Sequence, residues 1–308
     1  MHRIALLFLV IGLPLLAASP TQAQNSKTWV SGLGSDLSPN CSRLMPCKTF
    51  AAALALTNPR GEINCIDSGE FGPLSITQAV TISCEEVTAV VGGAPNQSGA
   101  ITIVAGPADV VTLRGLDIEG RGTGDAGIVV VSAQTVLVEK CVIRNFRFES
   151  ISAGIIVGQS TTTFLYVVDT VISDNNYGVS LYSTGGFKIA SFKNVTITGS
   201  AADGLQLANT NVYANVNDSI ISGNGGSAVN AAASGTVANV VRTTIANNVV
   251  AGLNASANGA TIRISNNDIY NNTNGILLAA GATVQSDGTN KHGNSNGGVG
   301  PNVSLALQ

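Results

Sequence analysis

Charge is scarce in this 308-residue sequence. Asp, Glu, Lys and Arg make up 11% of it, and 15 basic against 18 acidic residues leave a formal charge of −3. So few cations cannot neutralise a run of phosphates, which excludes a nucleic-acid binder of the usual kind. Aromatic residues are few (5%), with a single Trp, and Met occurs twice. The straight-chain helix formers Glu, Lys, Arg and Met are thin, and no segment repeats apolar residues at the helical period. Helical folds are therefore excluded. A mean hydropathy of +0.31 with so little charge excludes disorder. Neither His2 nor His292 lies near a cysteine and no CxxC pair exists, so no metal site and no cofactor are expected. What is abundant is 35 glycines with Asn, Ser, Thr, Val and Ile, the residues of turns and strands.

Residues 1–23 read as a secretory signal. His2 and Arg3 start it, Ile4 to Ala18 is an apolar run broken by Pro14, and Ser19-Pro20-Thr21-Gln22-Ala23 is a small-residue exit. The run is shorter than the ~18 residues a membrane span needs, and no later stretch is long enough. Cleavage after Ala23 predicts a secreted or periplasmic protein with no membrane span. The cysteines suit an oxidising compartment. Cys41 and Cys47 flank a Pro- and Ser-rich loop, where a short disulfide is expected. Cys65 and Cys84 end two similar strand-like runs, Glu62-Ile63-Asn64-Cys65 and Thr81-Ile82-Ser83-Cys84. Neighbouring strands would let them bridge; the alternative is a pair of stacked buried thiols. Cys141 reads as a buried thiol.

An internal repeat organises the rest. Strand-like runs end in Ile118, Ile143, Ile172, Ile197, Ile221, Ile245 and Ile269, with spacings of 25, 29, 25, 24, 24 and 24 residues. Two residues after each come Gly120, Asn145, Asp174, Gly199, Gly223, Asn247 and Asn271. Only these three residue types enter left-handed backbone cheaply, so a sharp turn is predicted there. Columns seven and five residues before each Ile are apolar, and the column two before is mostly so (Leu116, Cys141, Thr170, Val195, Ser219, Thr243, Asn267). After the turn, Ile128, Ile155, Val179, Leu205, Val229, Leu253 and Ile276 fall in register. Period-two alternation recurring every coil means strands facing one interior, stacked in parallel. The fold class is all-β, a β-solenoid. Asn175, Asn224, Asn248, Asn272 and Asn294 share a column and predict an amide ladder. Lys291 stands where the next Ile is expected, in a polar tract, so residues 284–308 read as a degraded last coil and tail.

The region Ile101 to Leu278 resembles the right-handed parallel β-helix repeat of pectin-lyase-like proteins. The segment before it is similar to the start of many secreted members: Trp29-Val30-Ser31-Gly32-Leu33-Gly34-Ser35-Asp36, then Pro46-Cys47-Lys48-Thr49-Phe50 and an Ala-rich stretch to Leu56. The resemblance implies a strand and short capping helix within residues 24–60, then parallel β-helix coils over 61–283, about ten in all. A plug is physically required, because the open end of a solenoid is a row of unpaired edges.

Function is less legible. Hydrolases of the resembled family carry paired Asp residues and a Gly-His-Gly, and its lyases carry an Asp cluster for calcium with a basic residue. The sequence has no Asp-Asp pair, and Lys291-His292-Gly293 is not that motif. No family active-site residue transfers to a position here. Most charges instead occupy equivalent positions in neighbouring coils: Arg114 with Glu139, Glu119 with Arg144, Lys140 with Asp169, Asp218 with Arg242. These read as cross-strand ion pairs. Two features remain. The longest repeat adds Asn145-Phe146-Arg147-Phe148-Glu149-Ser150 after its turn, which makes Glu119, Arg144, Arg147 and Glu149 the candidate catalytic residues. Either that loop folds its Phe residues onto the coil, or it stands out to bind an acidic sugar. Phe164, Ile189 and Tyr213 form an outward column with Tyr166 beside it, so Phe164, Tyr166 and Tyr213 are candidate binding residues for sugar rings. The scarcity of charge favours a non-catalytic, monomeric protein presenting a surface to a polysaccharide or cell-envelope component. The alternatives are a polysaccharide lyase or glycoside hydrolase with a non-standard site, and an adhesin-like structural element.

Overall fold

A computed structural model of the protein describes residues 25–93, 99–158, 161–293 and 297–305. The expected signal at 1–23 and the ladder position Asn294 lie outside the described residues. Parallel strands form three sheets, which each full coil visits in the same order. Among the described residues, sheet I has 12 strands, sheet II has 10 and sheet III has 9. One coil runs Val110–Arg114 in sheet I, Leu116–Glu119 in sheet II and Ala126–Ser132 in sheet III, then re-enters sheet I at Thr135–Glu139. About nine complete turns result, close to the ten expected. The anchor isoleucines pair rung to rung from Ile118 to Ile269, and all are buried. They form one continuous stack inside the coil.

The seven coils that start from Val110–Arg114 through Thr261–Ser265 bend left-handed at two corners. The predicted one joins sheets II and III, with φ between +56° and +66° at Asn145, Asp174, Gly199, Gly223, Asn247 and Asn271. Gly120 is the exception; its coil turns at Arg121 (φ +53°) and Gly122 instead. The corner between sheets I and II is a single residue that the sequence reading did not identify as a turn: Lys140, Asp169, Asn194, Asp218, Arg242 and Asn266 all lie at φ +49° to +53°.

A corner frees backbone N–H groups that must find acceptors. Side chains of the next coil supply them. At the first corner Cys141 N donates to Thr170 Oγ1 (3.3 Å), Val195 N to Ser219 Oγ (3.1 Å) and Thr243 N to Asn267 Oδ1 (2.9 Å). The column expected to be mostly apolar is therefore half a hydrogen-bond ladder. At the second corner Ser200 N donates to Asn224 Oδ1 (3.0 Å), Asn224 N to Asn248 Oδ1 (3.1 Å) and Asn248 N to Asn272 Oδ1 (3.0 Å). The amides also bond one another, Asn224 Nδ2 to Asn248 Oδ1 at 2.9 Å and Asn248 Nδ2 to Asn272 Oδ1 at 2.8 Å. The glycine before the first core aliphatic of most sheet III strands (Ser227–Ala231 has Ala228 there) has a steric reason. A Cβ on Gly178 would stand 2.4 Å from both Ile197 Cγ2 and the Gly204 carbonyl.

The two ends differ. Strand β1 (Asn25–Val30) carries the lone Trp29, and helix α1 (Phe50–Ala55) begins at Thr49, whose side chain accepts from Ala52 N. Strand β2 (Thr57–Cys65) pairs with β1, the first strand of sheet I. Phe50, Ala53 and Leu54 are buried, and the Phe50 ring lies 5.0 Å from that of Phe71. Disulfides join Cys41 to Cys47 and Cys65 to Cys84, the second tying adjacent coils at a Cα separation of 5.0 Å. Cys141 is free and buried. At the other end His292, not Lys291, continues the isoleucine stack, because the pairing runs Ile269 to His292 and Asp268 to Lys291. His292 is exposed despite its inward position. Beyond it, among the described residues, only Val303–Ser304 adds to sheet I.

Candidate functional site

The four candidate catalytic residues do not converge. Glu119 and Arg144 are rung neighbours in sheet II, and Arg144 Nε lies 2.6 Å from Glu119 Oε2. Arg144 Nη2 also reaches Asp117 Oδ2 at 2.8 Å. Glu119 further accepts from the Arg121 backbone N–H (2.7 Å) and from Asn145 Nδ2 (2.9 Å). Burial acts to raise the Glu119 pKa, but the bonds from Arg121, Asn145 and Arg144 together hold it below the ordinary glutamate value. Such a carboxylate is a poor base. Arg147 points elsewhere: its Nε donates to the Asp174 carbonyl at 2.6 Å and its Nη2 to the Gly199 carbonyl at 2.5 Å. The Glu149 carboxylate takes no hydrogen bond among the described residues; its backbone is held, the N–H by Ser152 Oγ (2.8 Å) and the carbonyl by Ser152 N (3.0 Å).

The loop after Arg144 divides its two phenylalanines. Phe146 is fully buried, in space left by Gly93, Gly120 and Gly124, where an added Cβ would stand 2.6 to 2.9 Å from the ring. Phe148 stays exposed.

Asp117 escaped the sequence reading. Burial pushes its pKa up, more than Arg144 pulls it down, and Glu119 adds to the rise. Its Oδ1 is buried without a hydrogen-bond partner. Lys188 was also missed. It occupies an inward position of sheet I between Thr163 and Val212, is buried, and donates from Nζ to the Thr161 carbonyl. Burial lowers its pKa. The signal was present as one Lys in a column otherwise made of small and apolar residues. Burial pushes the Cys141 thiol up to about 11, so it is no nucleophile at neutral pH.

Three of the four expected ion pairs form, each at 2.6 Å: Arg114 with Glu139, Glu119 with Arg144, Asp218 with Arg242. Lys140 instead reaches two coils back to Glu85 (2.7 Å), and Asp169 accepts from Asn194 Nδ2 (2.7 Å).

The candidate binding residues do converge. Phe164, Ile189 and Tyr213 are consecutive rung partners on the outer face of sheet I. The Phe187 ring lies 6.1 Å from Tyr213, and Tyr166, in the next column, is 42% exposed. That next column continues from Tyr166 through Ser191, Asn215, Asn239 and Arg263 to Gln285. Its side chains are linked: Asn239 Nδ2 donates to Asn215 Oδ1 (2.8 Å), and Arg263 Nε to Gln285 Oε1 (2.8 Å). A column of two rings and one isoleucine thus borders a column that runs from Tyr166 through amides to one guanidinium.

The family model for the right handed beta helix region matches residues 76–211 and 153–304. The chain belongs to this family. No curated protein matches this β-helix protein at the sequence level. Among solved structures it is similar to pectate lyase Pel9A, with a TM-score of 0.72 and 14% identity over 93% of this chain and 80% of that one. It is also similar to the A-module of the Azotobacter vinelandii mannuronan C-5 epimerase AlgE4 (TM-score 0.53, 15% identity, 80% of this chain and 91% of that one). An alginate lyase from Paenibacillus sp. str. FPU-7 gives a TM-score of 0.51 at 14% identity, over 83% of this chain and 95% of that one. At such identities the likeness is one of fold, and a fold of this kind hosts many activities.

Proposed function

We propose that the outer face of sheet I binds an extended polysaccharide laid along the solenoid axis. One observation carries this reading: Phe164, Ile189 and Tyr213 stand one rung apart beside the column that begins at Tyr166. Rungs repeat every ~4.8 Å, close to the length of one sugar ring, so successive sugars meet successive coils. Aromatic faces stack on sugar rings while Asn215, Asn239 and Arg263 bond their hydroxyls or carboxylates. Three structural neighbours are named for pectate, mannuronan and alginate chemistry, which supports a carbohydrate ligand. Affinity electrophoresis through gels holding polygalacturonate, alginate or a neutral glycan tests it. The protein is expected to be retarded by at least one, and the Tyr166→Ala/Tyr213→Ala variant to bind about tenfold more weakly. Free migration through every gel, or unchanged retardation of the variant, overturns the proposal.

Catalysis is the second reading, favoured by one observation: the pKa-raised Asp117 carboxyl, whose Oδ2 pairs with Arg144 while its Oδ1 is buried without a hydrogen-bond partner. It requires unsaturated products or new reducing ends when a polyuronate panel is incubated with the protein and calcium; neither product removes it. The saturated Glu119–Arg144 pair weighs against this reading, so the binding surface is preferred. Export as a monomer completes the proposal. Two disulfides suit an oxidising compartment, and among the described residues no helix is long and apolar enough to cross a membrane.

A further inference from the structure

The amide ladder of the second corner has one rung of a different kind. The Asn175, Ser200, Asn224 and Asn248 carbonyls accept in turn from Ala201, Gly225, Val249 and Thr273 N, each one residue past the same position in the next coil (2.7 to 3.2 Å). The four residues therefore share one column, and Ser200 stands where the others carry a carboxamide. It is buried as they are. At the rungs that follow, one amide oxygen serves two donors of the coil before it. Asn248 Oδ1 takes Asn224 N and Nδ2, and Asn272 Oδ1 takes Asn248 N and Nδ2. Ser200 gives Asn175 neither bond.

The groups left over are specific ones. Among the described residues Asn175 N has no acceptor, Asn175 Nδ2 donates only to the Ile143 carbonyl (3.2 Å), and Ser200 Oγ is buried without a partner. The Asn175, Asn248 and Asn272 amides reach the Ile143, Ile221 and Ile245 carbonyls of the coil before them (3.0 to 3.2 Å). The Ile172 carbonyl receives no such bond from Ser200. There is also room. A Cβ on Gly154, Gly204 or Gly252 would stand 2.8 to 3.0 Å from the ladder Nδ2 of Asn175, Asn224 or Asn272. One on Gly178, the equivalent glycine beside Ser200, has its three nearest atoms in Gly204 and Ile197. Serine is smaller than asparagine by about the volume of one water.

We infer that one internal water completes this rung, accepting from Asn175 N and Nδ2 and donating to Ser200 Oγ and the Ile172 carbonyl. Two donors and two acceptors, all neutral, match water and neither an anion nor a cation, and a buried water commonly makes that many bonds. Leaving these groups unpaired in the interior costs more than immobilising the water. The candidate loop depends on the same amide. Asn175 Oδ1 accepts from Phe146 N (3.0 Å), so the water holds the side chain that holds the start of that loop. This site lies inside the coil and is independent of any ligand on the outer face of sheet I.

A high-resolution crystal structure is the direct test. Density for a water is expected within hydrogen-bond reach of Asn175 N and Ser200 Oγ. Ser200→Asn is expected to replace that density with its own amide and to raise the melting temperature by about 3 °C or more. Amide exchange gives the same reading in solution. Asn175 N–H is expected to exchange about tenfold or more faster than Asn224 N–H in the parent, and at the Asn224 rate in Ser200→Asn. A Ser200 hydroxyl bonded straight to Asn175 N, with no water between them, overturns the inference. So does a water that persists beside the new amide, or a Ser200→Asn protein that melts and exchanges as the parent does. A variant that fails to fold shows that position 200 has no room for an amide, which overturns it as well.

Discussion

Lys188 is a charge the coil would be more stable without. Its ammonium is buried and donates to one carbonyl, and burial lowers its pKa below the ordinary 10.5. The unfolded chain therefore binds the proton more tightly, and stability rises with pH between the depressed value and the ordinary one. Lys188→Met is expected to stabilise the protein by about 1 kcal/mol at pH 7 in urea unfolding. The gain should shrink as the pH rises from the depressed value to the ordinary lysine value, above which both states are neutral. A constant gain across that range would mean that packing, not charge, sets the effect. At this scale the sequence was partly legible. Glu119 and Arg144 could be paired from register alone. Asp117 and Lys188 could not, because what distinguishes them is burial, which depends on the coils either side.

The working element is the corner rather than the strand. A left-handed residue turns the chain, and the next coil's Asn, Ser or Thr accepts the N–H left behind. Asn248 shows how much one such residue holds. Its Oδ1 accepts from Asn224 N and Nδ2, and its Nδ2 donates to the Ile221 and Ala246 carbonyls and to Asn272. Asn248→Ala leaves several buried polar groups unpaired and is expected to cost about 3 kcal/mol in denaturant unfolding. Asn239→Ala, outward on sheet I, should stay within about 0.5 kcal/mol. Equal losses would refute the ladder's role. The second corner was legible because Gly, Asn and Asp fill its column. The first was hidden by Lys140 and Arg242, residues that rarely adopt left-handed backbone, and by Thr170, Ser219 and Thr243, whose hydroxyls suited an apolar column well enough to pass as core.

At the scale of the molecule the coils form a one-dimensional stack with unlike ends. Near the first coils, β1, α1 and the Cys65–Cys84 disulfide cover and tie the stack. At the far end His292 stands exposed where the core column should continue. Stability should fall along the axis accordingly. Hydrogen exchange of Ile276–Leu278 and Thr283–Ser286 amides is expected to be faster than that of the buried-face amides of Val136 and Val138, by about tenfold or more. Uniform protection from end to end would contradict an open terminus. The capped start was readable in the sequence from its resemblance to secreted β-helix proteins; the exposed His292 was not, since a one-residue shift in the last coil moved it into the core column.

The single tryptophan gives that asymmetry an optical readout. Trp29 sits in the first strand, its backbone N–H bonded to the Cys41 carbonyl, so indole fluorescence watches only the covered end. Far-ultraviolet circular dichroism averages every rung. Monitored together during heating, the two signals become a clock for the direction of melting. Loss of ellipticity before the emission shift marks a stack that unzips toward its capped start, and coincident curves mark one that comes apart all at once.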